Sequence, residues 1–269
     1  MRLGVVGAGG RMGRMIIREL VEENLDGVTL VGAVDRPEAP GLGLDAALMA
    51  GCSSPIGVRV GEDPIPLFAD ADAVIDFTTP PATVAHARLA AQGKTVHVVG
   101  TTGLSADDED ALRGAARHCP IIYAPNMSAG VTLLMALVEQ VARALPAEDF
   151  DIEVQEMHHR HKVDAPSGTA LGLGQAAATG RSTDLTTAQT LSRVGHTGPR
   201  TVGSIGFATS RGGAVVGDHT VVFAGDYERL ELCHKAGDRK AFAAGALRAA
   251  RWAYGKPPGL YTMRDVLGV

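Results

Sequence analysis

The stretch Val5-Val6-Gly7-Ala8-Gly9-Gly10-Arg11-Met12-Gly13 decides the fold of the first half of the chain. The apolar run at residues 3–6 and the helically spaced apolar residues at 12–23 predict a strand, a turn and a helix around it. In that setting the glycines let the backbone approach a pyrophosphate, and the helix N-terminus presents free N–H groups to it. The spacing is Gly7-x-x-Gly10-x-x-Gly13 and not the strict Gly-x-Gly-x-x-Gly, so an ordinary glycine-rich turn is the alternative.

An acidic residue follows the second predicted strand, residues 28–34. Asp35 lies 35 − 13 = 22 residues after Gly13, and Arg36 is next to it. A carboxylate at this place accepts hydrogen bonds from the ribose hydroxyls of NAD, whereas a neighbouring arginine binds the 2′-phosphate of NADP. The pair therefore leaves the choice between the two cofactors open, and a solvated loop is the alternative interpretation.

The first half of the chain repeats a strand–helix order. The pattern predicts a parallel sheet with helices on both faces, a Rossmann-like doubly wound α/β fold. Residues 77–80 and 100–103 follow two of the strands, and ligands of such sheets bind at the carboxyl ends of strands. Both loops are candidates for the cofactor groove, although either could be a helix-capping turn. The predicted elements are strands 73–77, 95–99 and 121–123 and helices 82–91 and 106–117.

The second half has a different character. A helix is predicted at 131–145 and a shorter one at 169–178, and no helix separates the last three of four predicted strands. That order predicts an antiparallel or mixed sheet in an α+β domain. An alanine-rich helix at 239–253 is expected to return to the first domain. We therefore expect a dinucleotide-binding domain at 1–126 and 237–269 and a substrate domain at 127–236. The strands are predicted at 151–158, 201–208, 213–224 and 229–235.

The most unusual stretch is the basic segment at residues 158–162. Three of the nine histidines, His158, His159 and His161, fall within four residues, with Arg160 and Lys162 beside them. Cations this close together repel one another unless an anion is present. The helix that opens just after this segment offers a second anion site, so we expect a small dicarboxylic acid as substrate. A metal held by two alternate histidines of a strand and a solvated basic loop are the alternatives.

Composition excludes several classes of protein. The net charge is −5 without a Lys/Arg block, which disfavours nucleic acid as a partner. No apolar stretch is long enough to cross a membrane. The three cysteines are widely spaced, which indicates neither a disulfide framework nor a metal knuckle and favours a reducing cytoplasm.

These motifs together resemble the 4-hydroxy-tetrahydrodipicolinate reductase family, also called dihydrodipicolinate reductases. The resemblance covers nearly the full chain and is most specific in the block His-His-Arg-His-Lys-x-Asp-x-Pro-Ser-Gly-Thr, residues 158–169. It implies NADH- or NADPH-dependent reduction of 4-hydroxy-tetrahydrodipicolinate to tetrahydrodipicolinate in the diaminopimelate route to lysine. It also implies a homotetramer that assembles through the second domain. The other matching motifs are residues 7–13, 100–103, 124–126 and 263–267.

The resemblance also implies roles for individual residues. His158 would be the proton donor and acceptor, and Lys162 a second proton donor. Substrate carboxylates would be held by His159, Gly168 and Thr169. Met127 departs from the family, which often has an aromatic residue there near the nicotinamide. Cofactor contacts would come from Gly7, Ala8, Gly9, Gly10, Arg11, Met12, Asp35, Arg36, Gly100, Thr101, Thr102, Ala124, Pro125, Asn126, Met127 and Arg239.

Three other functions compete with this interpretation. A nicotinamide reductase of another small acid, such as an amino-acid dehydrogenase, could share the layout. A nucleotide sensor could keep the fold without catalysis, although the His158 and Lys162 pair argues for chemistry. A metal hydrolase built on the histidine cluster is the third, and it lacks a clear further ligand.

Overall fold

The computed structural model describes residues 1–269. In chain order the strands are β1 (Arg2–Val6), β2 (Thr29–Val34), β3 (Val60–Gly61), β4 (Ala73–Asp76), β5 (Val96–Val99), β6 (Pro120–Tyr123), β7 (Asp151–His158), β8 (Gln189–Thr190), β9 (Ile205–Arg211), β10 (Asp218–Ala224), β11 (Arg229–Lys235) and β12 (Gly259–Tyr261). The helices are α1 (Arg11–Glu22), α2 (Ala46–Ala50), α3 (Pro64–Asp70), α4 (Pro80–Gly93), α5 (Ala106–Ala115), α6 (Ala129–Ala144), α7 (Gly168–Gly180), α8 (Leu185–Ala188), α9 (Lys240–Ala253) and α10 (Met263–Leu267).

The chain divides into two compact units. One contains Met1–Ala129 and Lys240–Gly268, and the other contains Gly130–Arg239 with the terminal Val269. The dinucleotide and substrate roles that we predict for residues 1–126 with 237–269 and for residues 127–236 stay predictions. No helix has both the length and the apolar character that crossing a membrane requires.

The first unit is built on a seven-stranded parallel sheet of order β12-β6-β5-β4-β1-β2-β3. Strands buried on both sides alternate between two apolar clusters, as β4 does with Ile75 in one and Val74 in the other. Helices α1 and α9 contribute Ile16 and Leu247 to the first cluster, and α3 contributes Phe68 to the second. This arrangement confirms the predicted doubly wound fold.

The second unit is built on a five-stranded sheet of order β11-β10-β7-β9-β8. β7 pairs antiparallel with β10 and parallel with β9, so the sheet is mixed, as the sequence predicts. One face carries Val154 and Val221, which pack in one cluster with Val138 of α6 and Leu173 of α7. The helices therefore cover one face of this sheet.

Several predicted boundaries were wrong. β9 begins at Ile205 and not at 201, because residues 201–204 form a turn in which the Ser204 N–H bonds the Thr201 carbonyl at 3.1 Å. β10 begins at Asp218 and not at 213, where Gly213 takes a left-handed turn conformation with φ 54°. Residues 36–72, which the pattern left unassigned, contain α2, β3 and α3. The pattern also missed β8, α8, β12 and α10.

Candidate active site

The glycine loop joins β1 to α1, as the sequence predicts. α1 begins at Arg11, and its N-cap residue Gly10 has no side chain to bond the first N–H groups. A Cβ atom on Gly13 would lie 2.2 Å from the Gly7 carbonyl oxygen, so only glycine lets the helix pack this close to the loop. The first turn of α1 therefore presents backbone donors that suit a diphosphate.

Asp35 connects the end of β2 to this loop. Its Oδ2 atom accepts a hydrogen bond from the Gly9 N–H at 2.6 Å, and its Oδ1 atom accepts one from the Arg36 N–H at 2.8 Å. Asp35 and Arg36 line a cavity of about 490 Å³. The same cavity is lined by Gly7 and Gly10 and by Glu62, Thr78 and Thr79. Its size and its backbone donors fit part of a dinucleotide.

The other predicted cofactor residues of the first unit follow the neighbouring strands β5 and β6. Residues 100–102 come directly after β5, where Thr101 is buried. Residues 124–127 follow β6, and the Ala124 N–H bonds the Val99 carbonyl at 3.2 Å. The Met127 side chain is 1% exposed and belongs to the core cluster that contains α9. The parallel sheet thus gathers these loops at the carboxyl ends of its strands, with Met127 packed beneath the surface.

A buried polar cluster that the sequence reasoning missed lies under two of these loops. Asp76, the last residue of β4, is wholly buried, and its Oδ2 atom lies 2.9 Å from His86 Nδ1 and 3.1 Å from His97 Nε2. Its Oδ1 atom accepts hydrogen bonds from the hydroxyls of Thr78 at 2.6 Å and Thr101 at 3.3 Å. Burial opposes ionisation of Asp76, but hydrogen bonds from the two histidines outweigh it and hold its pKa well below the ordinary value.

In the second unit, the buried face of β7 changes from apolar to polar toward its carboxyl end. Ile152 and Val154 are in the apolar core, and Glu156 and His158 follow at alternate, equally buried positions. His158 Nδ1 lies 2.5 Å from Glu156 Oε2. The predicted proton donor is therefore a buried histidine held by a carboxylate.

Glu156 has further partners from neighbouring elements. The parallel register of β7 and β9 pairs His158 with Arg211, and the guanidinium of Arg211 bonds both Glu156 carboxylate oxygens, at 2.9 and 3.0 Å. The Ser167 N–H donates to Glu156 Oε1 at 3.0 Å. Burial opposes ionisation of Glu156, but hydrogen bonds from Arg211, His158 and Ser167 lower its pKa below the ordinary value. Glu156 is thus an ionised carboxylate at neutral pH.

His219 completes the cluster from β10. Its ring meets the His158 ring edge-on with 5.0 Å between centroids, and its Nε2 atom lies 3.2 Å from the Ser167 hydroxyl. Burial, and then positive charge on His158, lower the pKa of His219 to about 4. Ligand atoms of Glu156, His158 and His219 lie within 4.8 Å of one another, a spacing found in metal sites. Here, however, the Arg211 guanidinium bonds both oxygens of Glu156 and places positive charge where a cation would bind.

The predicted basic segment continues beyond the end of the strand. β7 ends at His158, so His159 and His161 lie in a turn, and the alternative of two ligands at alternate strand positions was wrong. His159 Nε2 lies 3.5 Å from an Arg239 guanidinium nitrogen. Desolvation, followed by the charges of Arg239 and His161, lowers the pKa of His159. Lys162 Nζ forms an ion pair with Asp164 Oδ1 at 2.8 Å.

Helix α7 begins directly after this turn. Its N-cap residue is Ser167, whose hydroxyl accepts a hydrogen bond from the Ala170 N–H at 3.1 Å. Gly168 and Thr169, the predicted substrate residues, are the first two residues of the helix. One strand–turn–helix segment therefore carries a buried histidine, a basic turn and a helix N-terminus, an arrangement that can bind an anion and supply a proton to it.

Sequence reasoning missed three members of this cluster, Glu156, Arg211 and His219. Glu156 could have been found, because it lies two residues before His158 on a strand and must share its face. Arg211 and His219 reach the cluster only through the pairing of β7 with β9 and β10. No local pattern in the sequence carries that pairing.

Comparison with known proteins gives the same family for both halves of the chain. The family model described as "Dihydrodipicolinate reductase, N-terminus" matches residues 1–127, and "Dihydrodipicolinate reductase, C-terminus" matches residues 130–267. The chain is 58% identical over 269 residues to 4-hydroxy-tetrahydrodipicolinate reductase 1 of Mesorhizobium japonicum, covering 100% of this chain and 97% of that protein. It is 56% identical over 269 residues to 4-hydroxy-tetrahydrodipicolinate reductase of Brucella abortus, covering 100% of this chain and 99% of that protein.

Solved structures share the fold at lower identity. A dipicolinate-bound dihydrodipicolinate reductase from Paenisporosarcina sp. TG-14 superposes with a TM-score of 0.76 over 98% of each chain, at 23% identity. GenD2 from gentamicin A biosynthesis, solved in complex with NAD, superposes with a TM-score of 0.59 over 99% of this chain and 90% of that chain, at 16% identity. At such identities the likeness shows the fold alone.

Proposed function

The chain belongs to the dihydrodipicolinate reductase family, and from that premise we propose which of its residues carry out the NAD(P)H-dependent reduction of 4-hydroxy-tetrahydrodipicolinate to tetrahydrodipicolinate. This reaction belongs to the diaminopimelate route to lysine. The observation that carries the proposal is the segment at 158–169, in which a carboxylate-held histidine, a basic turn and a helix N-terminus follow one another.

The first unit is proposed to bind the nicotinamide cofactor, which supplies the hydride when bound. The uncapped N-terminus of α1 would hold its diphosphate, and Asp35 would accept hydrogen bonds from ribose hydroxyls in the adjoining cavity. Arg36 lines the same cavity and offers a cation to a 2′-phosphate, so we propose that both NADH and NADPH serve. The loops that contain Thr101 and Asn126 would complete the groove, together with Gly100, Thr102, Ala124, Pro125 and the backbone of Met127.

The second unit is proposed to bind the substrate. Two carboxylates of a cyclic dicarboxylic acid need two anion sites, and the first turn of α7 with Gly168 and Thr169 supplies one. His159 and Lys162 supply the other from the basic turn. Arg239 lies within 3.5 Å of His159, so it adds positive charge beside that anion site. Arg239 is also one of the residues predicted to contact the cofactor.

Water leaves the 4-hydroxy substrate to give a conjugated ring, hydride then adds to that ring, and a proton must meet the electron density that results. We propose His158 as that proton donor, with Lys162 as a second donor and a fixed positive charge. His158 is buried next to Glu156, which keeps the ring in one orientation and away from bulk water. The neutral His219 beside it adds no competing charge near the reacting proton.

We further propose a homotetramer that assembles through the second unit and works in the cytoplasm. The face of its sheet that the helices leave uncovered includes Met157, which is 37% exposed, and the three cysteines are unpaired. Light scattering coupled to size-exclusion chromatography measures the mass of the assembly directly. A monomeric mass at micromolar concentration would contradict the tetramer.

Loss of the near-ultraviolet absorbance of NADH or NADPH, with freshly synthesised substrate, tests the function. We expect turnover with both cofactors and no turnover with simple amino or oxo acids. Cofactor binding without turnover would favour the nucleotide sensor, and turnover of an amino acid would favour another dehydrogenase.

A further inference from the structure

We propose that Glu156 is the positioning residue of His158 and that Arg211 holds Glu156 in place, so that one buried ion pair fixes both the orientation and the tautomer of the proton donor. The inference rests on the proposed function, because it concerns how His158 performs that role. It adds two residues that do not touch the substrate in the scheme above.

Every partner of the Glu156 carboxylate is a donor. Arg211 donates to both oxygens, and the Ser167 N–H and the Thr209 hydroxyl donate to Oε1, at 3.0 and 3.3 Å. An ionised carboxylate has no proton to give, so His158 must donate its own Nδ1–H across the 2.5 Å contact. The other nitrogen, Nε2, is then the atom that gains and loses the catalytic proton.

Arg211 connects this histidine to the basic turn. Besides the two bonds to Glu156, its Nη2 atom donates to the backbone carbonyl of Asp164 at 2.6 Å. The Asp164 carboxylate pairs with Lys162 at 2.8 Å. A single guanidinium therefore supports both proposed proton donors, His158 through Glu156 and Lys162 through Asp164. A lysine could not span these acceptors with the same planar geometry.

The His158 ring is confined on its remaining sides. The His219 ring packs edge-on against it at 5.0 Å. A Cβ atom on Gly217 would lie 2.9 Å from His158 Nε2 and 3.4 Å from His219 Cε1, so the backbone passes directly beside the reacting nitrogen. The carboxylate at Nδ1 and the His219 ring hold the His158 ring in one orientation, and glycine at 217 leaves open the space beside Nε2 that a side chain would fill.

Buried ion pairs are weak evidence for stability, because desolvation offsets their attraction. Replacing one member of the Glu156–Arg211 pair nevertheless tests a positioning role, provided that the state of the His158 ring is measured separately from folding. The variant Glu156→Gln keeps the shape of the side chain and removes its charge. We expect kcat to fall by roughly 10²-fold, a share of the effect of a general acid. The KM for NADH and the affinity for the dicarboxylate probe dipicolinate should change less than twofold.

The matched control is Glu153→Gln on the same strand. Glu153 also accepts hydrogen bonds from two arginines, Arg193 and Arg200, but it has no contact with His158. We expect kcat within twofold of the wild type. If both glutamine variants lose kcat equally, the ion pairs of β7 serve the fold in general and the proposal is overturned.

The imidazole ¹⁵N shifts of histidine-labelled protein report the tautomer itself, with the His158→Ala spectrum assigning the resonance. The wild type should show His158 protonated at Nδ1, and Glu156→Gln should show a mixture of tautomers. An unchanged tautomer or an unchanged kcat overturns the proposal. If Glu156→Gln does not fold, Arg211→Lys decides: a lower kcat at an unchanged KM for NADH supports the role, and an unchanged kcat overturns it.

Failure of this inference differs from failure of the proposed function. If the wild type lacks activity with the proposed substrate, the function itself is wrong. If the wild type turns over, His158→Ala does not, and Glu156→Gln equals the wild type, only the positioning role of Glu156 is wrong.

Discussion

Each unit of the molecule buries one carboxylate near the carboxyl end of a central strand, Asp76 on β4 and Glu156 on β7, and each carboxylate meets a histidine. The partners otherwise differ. Asp76 is surrounded by two histidines and threonine hydroxyls, whereas Glu156 is bonded to the guanidinium of Arg211. The partners of Asp76 can therefore exchange donor and acceptor roles, whereas Arg211, the partner of Glu156, can only donate.

The difference matches what each carboxylate supports. Asp76 bonds the hydroxyls of Thr78 and Thr101 and so ties together the two loops that follow β4 and β5. Glu156 instead orients a single ring, His158, which we propose exchanges a proton. A network of hydroxyls and histidines suits a role in holding two loops together, and an ion pair with arginine suits a role in holding one histidine tautomer.

The largest expected effect is on the reacting histidine. Replacing His158 by alanine removes the proposed proton donor, so kcat should fall by roughly 10²- to 10⁴-fold. The affinity for NADH, which we propose binds to the first unit, should stay within twofold, and fluorescence titration of NADH measures it. Wild-type turnover in this variant would remove His158 from the mechanism and leave the Glu156 cluster without a catalytic purpose.

The next largest effect is on stability, where replacing Glu156 should lower the free energy of unfolding more than replacing Asp76. Glu156→Gln leaves the Arg211 cation partly buried without its partner, a loss of about 3 to 5 kcal/mol in the free energy of unfolding. Asp76→Asn leaves histidines and hydroxyls that can exchange donor and acceptor roles, so we expect about 1 to 3 kcal/mol. Urea unfolding of both variants measures the order. A larger loss for Asp76→Asn would mean that the guanidinium is not the decisive difference.

How far these clusters could be predicted depends on the range of the interactions that build them. The strand–glycine–helix start at residues 7–13 and the helix start at Gly168 are local patterns, and the sequence predicted both. The pair Asp76 and His97 belongs to neighbouring strands, and Arg211 reaches Glu156 from another strand of the second sheet. Strand order has no local signal, so Arg211 emerged only with the sheet, whereas the spacing of Glu156 and His158 on one strand could have revealed Glu156.

Lowering the pH should destabilise the second unit, because protonation of His219 is less favourable in the folded chain than in the unfolded one. Its pKa falls from 6.5 to about 4 on folding, chiefly by burial. Above pH 6.5 neither state binds this proton, whereas between 6.5 and 4 the unfolded chain takes it up and the folded chain does not. Stability should therefore decrease as pH falls through that window, by up to roughly 3 kcal/mol. Urea unfolding at a series of pH values measures the slope, and His219→Gln should be flatter. An equal slope in both proteins would contradict the assignment to His219.

A smaller effect is expected on cofactor binding when the hydrogen bonds that Asp76 makes to the two loops are weakened. Asp76→Asn weakens the bonds to Thr78 and Thr101, so we expect the Kd for NADH to rise by about 10-fold, or ~1.4 kcal/mol. The affinity for dipicolinate, which we propose binds to the second unit, should not change. If both affinities fall together, the effect is a general loss of structure and Asp76 has no special relation to the cofactor loops.

The smallest effect concerns a third carboxylate, Asp35, which is only partly buried and accepts hydrogen bonds from backbone N–H groups alone. Asp35→Asn keeps an oxygen that can accept from the Gly9 N–H, gives up the exposed bond from the Arg36 N–H and removes the charge, so the fold should be kept with only a small loss of stability. Without the charge, a 2′-phosphate beside Arg36 is no longer repelled, and the ratio of kcat/KM for NADPH to that for NADH should rise several-fold. Parallel assays with the two cofactors measure the ratio, and Glu62→Gln, a second carboxylate of the same cavity, is the matched control. An unchanged ratio in Asp35→Asn would mean that the charge of Asp35 does not face the ribose. The charges of the two buried carboxylates, Asp76 and Glu156, are in contrast expected to affect both stability and function.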